Sequence, residues 1–299
     1  MNDPKITPNA AGPADALPVP TMNDPKITAA GPADAPTEPH IIHGNCVDGM
    51  AGLPDNSVDA VIADPPYDIG KDFGNNSTKL SKEDYCKWCQ EWIDESVRIL
   101  KPNGTLFIYG FAEFLSYVQV LCCSEWNCRY LQWHYINKVS PAAKFWQRTH
   151  ESVLMVWKCD GFPTFDRDAV RVPYTETFLK NAAGKKRKIG KGRFEGSGKQ
   201  TVYKAHKGGA LPRDVIKCSA LSGGAGKKER VSWHPTQKPL GITRTLIKSI
   251  GIKDDTLIVI PFAGSGTEAL ACKELGVDFV AWDLNEEYVE KANQRLSEM

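Results

Sequence analysis

The residues best suited to chemistry in this chain of 299 lie at Asp64-Pro65-Pro66-Tyr67. Two successive prolines fix two φ angles and remove two N–H donors, which leaves stiff backbone carbonyls as acceptors. A carboxylate, a rigid carbonyl and an aromatic ring within four residues match an exocyclic amine on a flat heterocycle. Asp64 and the Pro65 carbonyl can each accept one amine hydrogen, which draws the nitrogen lone pair out of conjugation, while Tyr67 stacks on the ring. A turn of this composition can also simply end a strand, so the motif needs a partner.

Phe262-Ala263-Gly264-Ser265-Gly266-Thr267 is that partner; it follows the apolar run Thr256 to Ile260 and precedes a helical pattern. Glycines at such a turn let backbone approach a ligand, and the helix start offers unpaired N–H groups. Asp283, at the end of the next apolar run, is placed to accept from ribose hydroxyls. A nucleoside-like cofactor is the expectation. Gly264 and Gly266 with Asp283 also pass loosely as a dinucleotide fingerprint, so this half alone leaves nicotinamide and S-adenosylmethionine both open.

Positioning such motifs takes strands that end together. From residue 40 onward short apolar runs alternate with amphipathic stretches, the pattern of a parallel sheet with crossover helices. Strands are predicted over Val58–Ala63, Gly104–Gly110, Ser152–Trp157, Thr256–Ile260 and Asp278–Trp282, with helices over Lys82–Leu100, Gly266–Leu275 and Glu286–Leu296. The fold class expected is α/β, a doubly wound and mostly parallel sheet carrying a basic insertion.

Composition supports a globular protein, with 41% hydrophobic and 24% charged residues. No stretch reaches the roughly 18 apolar residues of a membrane span, and no secretory signal is legible; a cytoplasmic protein is expected. Nine cysteines, an odd number, read as reduced thiols. Cys86 and Cys89 lie inside an amphipathic helix and read as packing, so no metal is expected. Residues 1–40 hold nine of the twenty prolines and no aromatic residue, and repeat MNDPKIT at Met1 and Met22. That arm is expected to be disordered, and its duplication reads as a doubled start region or an artefact, not a solenoid. The formal net charge of +1 hides 15 Lys and Arg against 3 Asp and Glu in residues 179–230, a surface suited to a polyanion or, taken alone, a solvated loop.

With these motifs in hand, the chain resembles the β class of amino-methylating DNA methyltransferases. In that family a D-P-P-Y motif comes first, then a variable recognition region, then H-P-T-Q-K-P, then F-x-G-x-G-T. The corresponding order is Asp64 to Tyr67, the basic region, His234-Pro235-Thr236-Gln237-Lys238-Pro239, and Phe262 to Thr267. The resemblance implies a methyltransferase domain over 41–299, with target recognition over 160–233. It also implies S-adenosylmethionine as cofactor, without metal, and methylation of a flipped-out base in double-stranded DNA by a homodimer. His234, Gln237, Lys238, Asp283, Asp64 and the glycine turn become candidate cofactor contacts, as do Asn45 and Cys46 of Gly44-Asn45-Cys46, which stands where the family usually has Gly-Asp-Cys, with Asn45 the departure. Ile260 stands where the family usually has Asp, which removes an expected carboxylate. Asp64, not Ser, at the first motif position leans toward N6 of adenine over N4 of cytosine. A catalytically silent DNA-binding protein is the alternative from another class. DNA contact is expected from Lys138, Lys144, Arg148, Lys185, Lys186, Arg187, Lys188, Lys191 and Arg193, with Trp146 near them.

Overall fold

The structure is a computed structural model that describes residues 40–66, 81–136, 146–186, 202–221 and 226–299. The N-terminal arm up to residue 39 lies outside the described residues, as do Tyr67, Lys138, Lys144, Arg187, Lys188, Lys191 and Arg193.

The described elements include a counterpart of every strand and helix predicted above, with further elements between them. In chain order they are β1 (Ile41–His43), α1 (Cys46–Ala51), β2 (Val58–Ala63), α2 (Lys82–Ile99), β3 (Leu100–Gly110), α3 (Ala112–Cys122), β4 (Asn127–Ile136) and β5 (His150–Trp157). There follow α4 (Glu176–Asn181), β6 (Val215–Ser219), α5 (Leu240–Ser249), β7 (Leu257–Ile260), α6 (Thr267–Leu275), β8 (Asp278–Asp283) and α7 (Glu286–Ser297).

All eight strands form one sheet in the order β1-β8-β7-β2-β3-β5-β4-β6. Among the described strands only β5 runs against its neighbours, pairing antiparallel with both β3 and β4. The central strands are apolar on both sides, as strands covered on two faces must be. Ala60, Ile62, Phe107, Tyr109, Ile258 and Ile260 face a core closed by α5, α6 and α7. Val61, Ala63, Leu106, Ile108 and Val259 face a second core closed by α1, α2 and α3.

This winding has a consequence for the site. The helices after β7 and β8 cover one face and those after β2 and β3 the other, so the chain diverges between the neighbours β7 and β2. A crevice opens at such a switch point, outside the carboxyl ends of the strands. Because β5 is reversed, its amino end lies at that same edge. The region expected to recognise the target returns to the sheet, since β6 pairs with β4 in parallel from Gln132↔Val215 to Ile136↔Ser219.

Candidate active site

Asp64, Pro65 and Pro66 follow directly on β2, beside the crevice. Both carboxylate oxygens of Asp64 face the Lys238 ammonium, at 2.8 and 2.9 Å. Lys238 is 3% exposed and also lies 3.8 Å from Glu151 Oε2. The Tyr135 hydroxyl donates to Glu151 Oε1 at 2.5 Å. Glu151 is the second residue of β5 and Tyr135 the penultimate residue of β4, so the reversed β5 starts, and β4 finishes, at the end of the sheet where Asp64 follows β2. Burial disfavours the charge on Lys238, yet Asp64, Glu151 and Glu268 outweigh it and hold its pKa above the ordinary value. Glu268, on the first turn of α6 and 3% exposed, has a long hydrogen bond of 3.5 Å from the Thr243 hydroxyl. Burial and then the Asp64 charge push its carboxyl up to about 7. From α2, the Tyr85 hydroxyl donates to the Pro66 carbonyl at 3.2 Å and pins the turn.

The glycine turn follows β7 on the other side of the crevice. Gly264 and Gly266 have φ of 47° and 73°, the left-handed region that glycine enters freely. A Cβ on Gly264 would lie 2.8 Å from His234 Nε2, so the imidazole rests on the bare backbone there. Trp233 and Tyr288 box His234 in, the latter with ring centroids 4.9 Å apart. Arg295, from α7, donates to the Ser265 carbonyl at 3.0 Å and to Thr267 Oγ1 at 3.3 Å, bracing the turn from behind. Phe262 packs between Trp88 and Trp92 of α2. Asp283 Oδ2 accepts from Gly264 N–H at 2.7 Å and Oδ1 from Asn285 N–H at 2.9 Å. Burial raises its carboxyl, while those N–H groups oppose the rise.

Other predicted residues have structural partners of their own. Asn45 is the N-cap of α1, its Oδ1 accepting from Val47 N–H at 2.9 Å. The adjacent Cys46 is buried and its thiol is pushed up to about 12. The Gln237 side chain accepts from Val231 N–H at 2.8 Å and donates to the Glu229 carbonyl at 3.0 Å. Gln237 thereby shapes the segment that carries His234 and Lys238, and Glu229 in turn accepts from Leu240 N–H at the start of α5. Ile260 is fully buried at the end of β7.

A family model described as DNA methylase, covering N6 and N4 amine methylation, matches residues 58–294. The chain belongs to this DNA methylase family. The methylase is similar to the type II methyltransferase M.HpaI of Haemophilus parainfluenzae, 29% identical over 86% of this chain and 73% of that protein. It is also similar to the DNA adenine methyltransferase YhdJ of Escherichia coli K12, 26% identical over 86% of this chain and 82% of its relative. Its fold is shared with the crystal structure of the M1.HpyAVI–SAM complex, at a TM-score of 0.56 and 22% identity, covering 87% of this chain and 99% of the other.

In the methylase, the candidate DNA-binding residues that are described are spread over two places. Lys185 and Lys186 are exposed after α4. Arg148 donates to Glu113 at 2.7 and 3.2 Å and stacks on Phe111, so part of its charge is compensated. Trp146 is 88% exposed. Between β5 and β6, Tyr174 stacks on Phe178, which meets Tyr203 edge-on, a small aromatic centre for a glycine-rich region. Cys86 and Cys89 are buried on α2 with raised thiol pKa values, burial being the main cause. Among the described residues no His, Cys, Asp and Glu group converges as a metal site, and no helix is long and apolar enough to cross a membrane.

Proposed function

We propose that the methylase transfers a methyl group from S-adenosylmethionine to the N6 amine of an adenine flipped out of double-stranded DNA. The observation that carries this reading is the placement of Asp64-Pro65-Pro66 and the left-handed glycine turn after the neighbouring parallel strands β2 and β7, on either side of the topological switch point. The residues fit the cofactor: a left-handed glycine turn at Gly264 and Gly266 with the His234 ring against it, and a buried carboxylate at Asp283 after the next strand. Asn45, Cys46, His234, Phe262 to Thr267 and Asp283 would hold it. When bound, S-adenosylmethionine supplies an electrophilic methyl group on a sulfonium.

The protein's own work is positioning. Flipping a stacked base costs a few kcal/mol, and the Lys and Arg of the basic region offset this by binding phosphates. Asp64 and the Pro65 carbonyl each accept one amine hydrogen, which fixes the nitrogen and localises its lone pair. Tyr67 stacks on the base. Rate then comes from orientation and fixed electrostatics.

The test is to incubate the protein and its D64A variant with unmethylated DNA and S-adenosylmethionine, then analyse nucleosides by mass spectrometry. N6-methyladenine from the wild type alone supports the reading. N4-methylcytosine keeps the mechanism and overturns the choice of base. No methylated base on any DNA returns the chain to a silent DNA-binding role.

A further inference from the structure

Taking an exocyclic amine as the substrate group, as above, we infer that Lys238 is the positioning residue that holds the Asp64 carboxylate in its accepting orientation, with Glu151 as a second anchor toward which the lysine moves when the amine arrives. The resemblance places Lys238 at the cofactor, but its ammonium sits on both oxygens of Asp64. The two residues are 174 positions apart in sequence, so the bond ties the catalytic turn to the segment that also carries His234.

The geometry supports more than a tether. A carboxylate has about four lone-pair sites, so Asp64 can face the ammonium and still accept an amine hydrogen. A buried ammonium cannot be left without partners, and a second one is in reach. Glu151 Oε2 is 3.8 Å from Nζ against 2.8 Å for Asp64 Oδ1, so a shift of about 1 Å exchanges the ion pairs at hydrogen-bond range. Glu151 is already oriented by the Tyr135 hydroxyl. The exchange matters because the amine nitrogen gains positive charge as it takes the methyl group. An Asp64 partly relieved of its lysine stabilises that charge better than one fully paired.

Two measurements test this on the full chain. The first is single-turnover methylation of unmethylated DNA, with S-adenosylhomocysteine affinity measured by calorimetry. The charge-balanced variant K238M/E151Q should lose about 100-fold in rate, as expected for a displaced catalytic group. It should keep cofactor-product affinity within about three-fold. K238R should recover at least part of the rate, and E151Q should lower kcat with little change in KM for DNA. A K238M/E151Q rate near wild type overturns the proposal. So does a loss of S-adenosylhomocysteine affinity that accounts for the whole rate loss, because the lysine then serves only the cofactor segment.

The second measurement needs no activity: nitrogen-15 NMR of the lysine side-chain ammonium groups, with Lys238 assigned by its absence in K238R. Its resonance should move in D64N and, by less, in E151Q; an unmoved resonance in D64N overturns the ion pair. A wild type that shows the shift but methylates no DNA sinks the functional reading instead, and the two failures stay distinct.

Discussion

Glu268 gives the residue-scale chemistry a measurable signature. Its carboxyl, raised from the ordinary glutamate range to about 7 by burial and then by Asp64, is favoured in the fold when protonated. The destabilisation it brings is therefore absent at about pH 4.5, grows as pH rises toward 7, and is constant above that. At 1.36 kcal/mol per unit, the full effect is about 3 kcal/mol. E268Q, uncharged and of the same shape, should match the wild type at about pH 4.5 and be more stable by up to about 3 kcal/mol at about pH 8. Urea melts at both values check this, and an equal difference at both would refute it. Tyr85 acts from the other side of the motif, and Y85F should remove the donor on the Pro66 carbonyl. A net decrease of about 1 kcal/mol in stability is expected. A drop in turnover of about ten-fold should follow from a looser turn, with cofactor affinity kept. Calorimetry beside single-turnover kinetics separates the two effects. The acidic and proline residues of the motif are legible in sequence because their chemistry is local. Lys238, Glu151 and Tyr85 as partners of that motif are not, because strand order and register alone decide which distant side chain meets Asp64; the resemblance assigns Lys238 a different task.

At the scale of elements, what is legible is what repeats with a clear period. Val58–Ala63 matches β2 residue for residue, and α2, α6, β8 and α7 fall within a residue or so of their predicted bounds. The sequence pattern does not bring out the short β1, α1 and α4, nor α3, β4, α5 or β6. In β4 the residues are mostly half-buried and carry Asn, Arg, Gln and His among the apolar ones, so neither period stands out. In α5 a glycine and two threonines lower helix propensity, and burial of Leu240, Ile242, Leu246 and Ile247 decides the outcome. The glycine turn, by contrast, is fixed by its own residues. At Gly266, the N-cap of α6, φ is 73° and a Cβ would lie 2.9 Å from the Ala292 Cβ. G266A should cost about 1–2 kcal/mol from the left-handed backbone alone. Because α7 must then give way, Arg295 is displaced from the Ser265 carbonyl and cofactor binding weakens with stability. Denaturant melts and calorimetry on the same variant test the link; binding that survives a large drop in stability would show the turn to be independent of α7.

For the whole molecule, sheet order separates two tasks along one edge. The elements read as cofactor-binding lie at the carboxyl ends of β1, β8 and β7, while the glycine-rich basic region leaves the sheet at β5 and rejoins it at β6. Asp64 directly follows β2, between them. A duplex read by the basic region can therefore present a flipped base to Asp64 from the side opposite the cofactor. On the proposed reading, the charge imbalance of residues 179–230, 15 Lys and Arg against 3 Asp and Glu, is expected to supply DNA affinity and none of the chemistry. Neutralising Lys185, Lys186, Arg187 and Lys188 together should thus weaken DNA binding and flatten its dependence on salt. Each phosphate that is no longer neutralised takes about 0.9 off the slope of log affinity against log salt, so a decrease of up to about 4 is expected. S-adenosylmethionine affinity and single-turnover rate at saturating DNA should stay near wild type, because the residues read as holding cofactor and amine lie on other loops. Titrations at several salt concentrations decide the matter. An unchanged slope makes the segment a solvated loop, and a single-turnover rate that collapses at saturating DNA means that it helps to hold the flipped base.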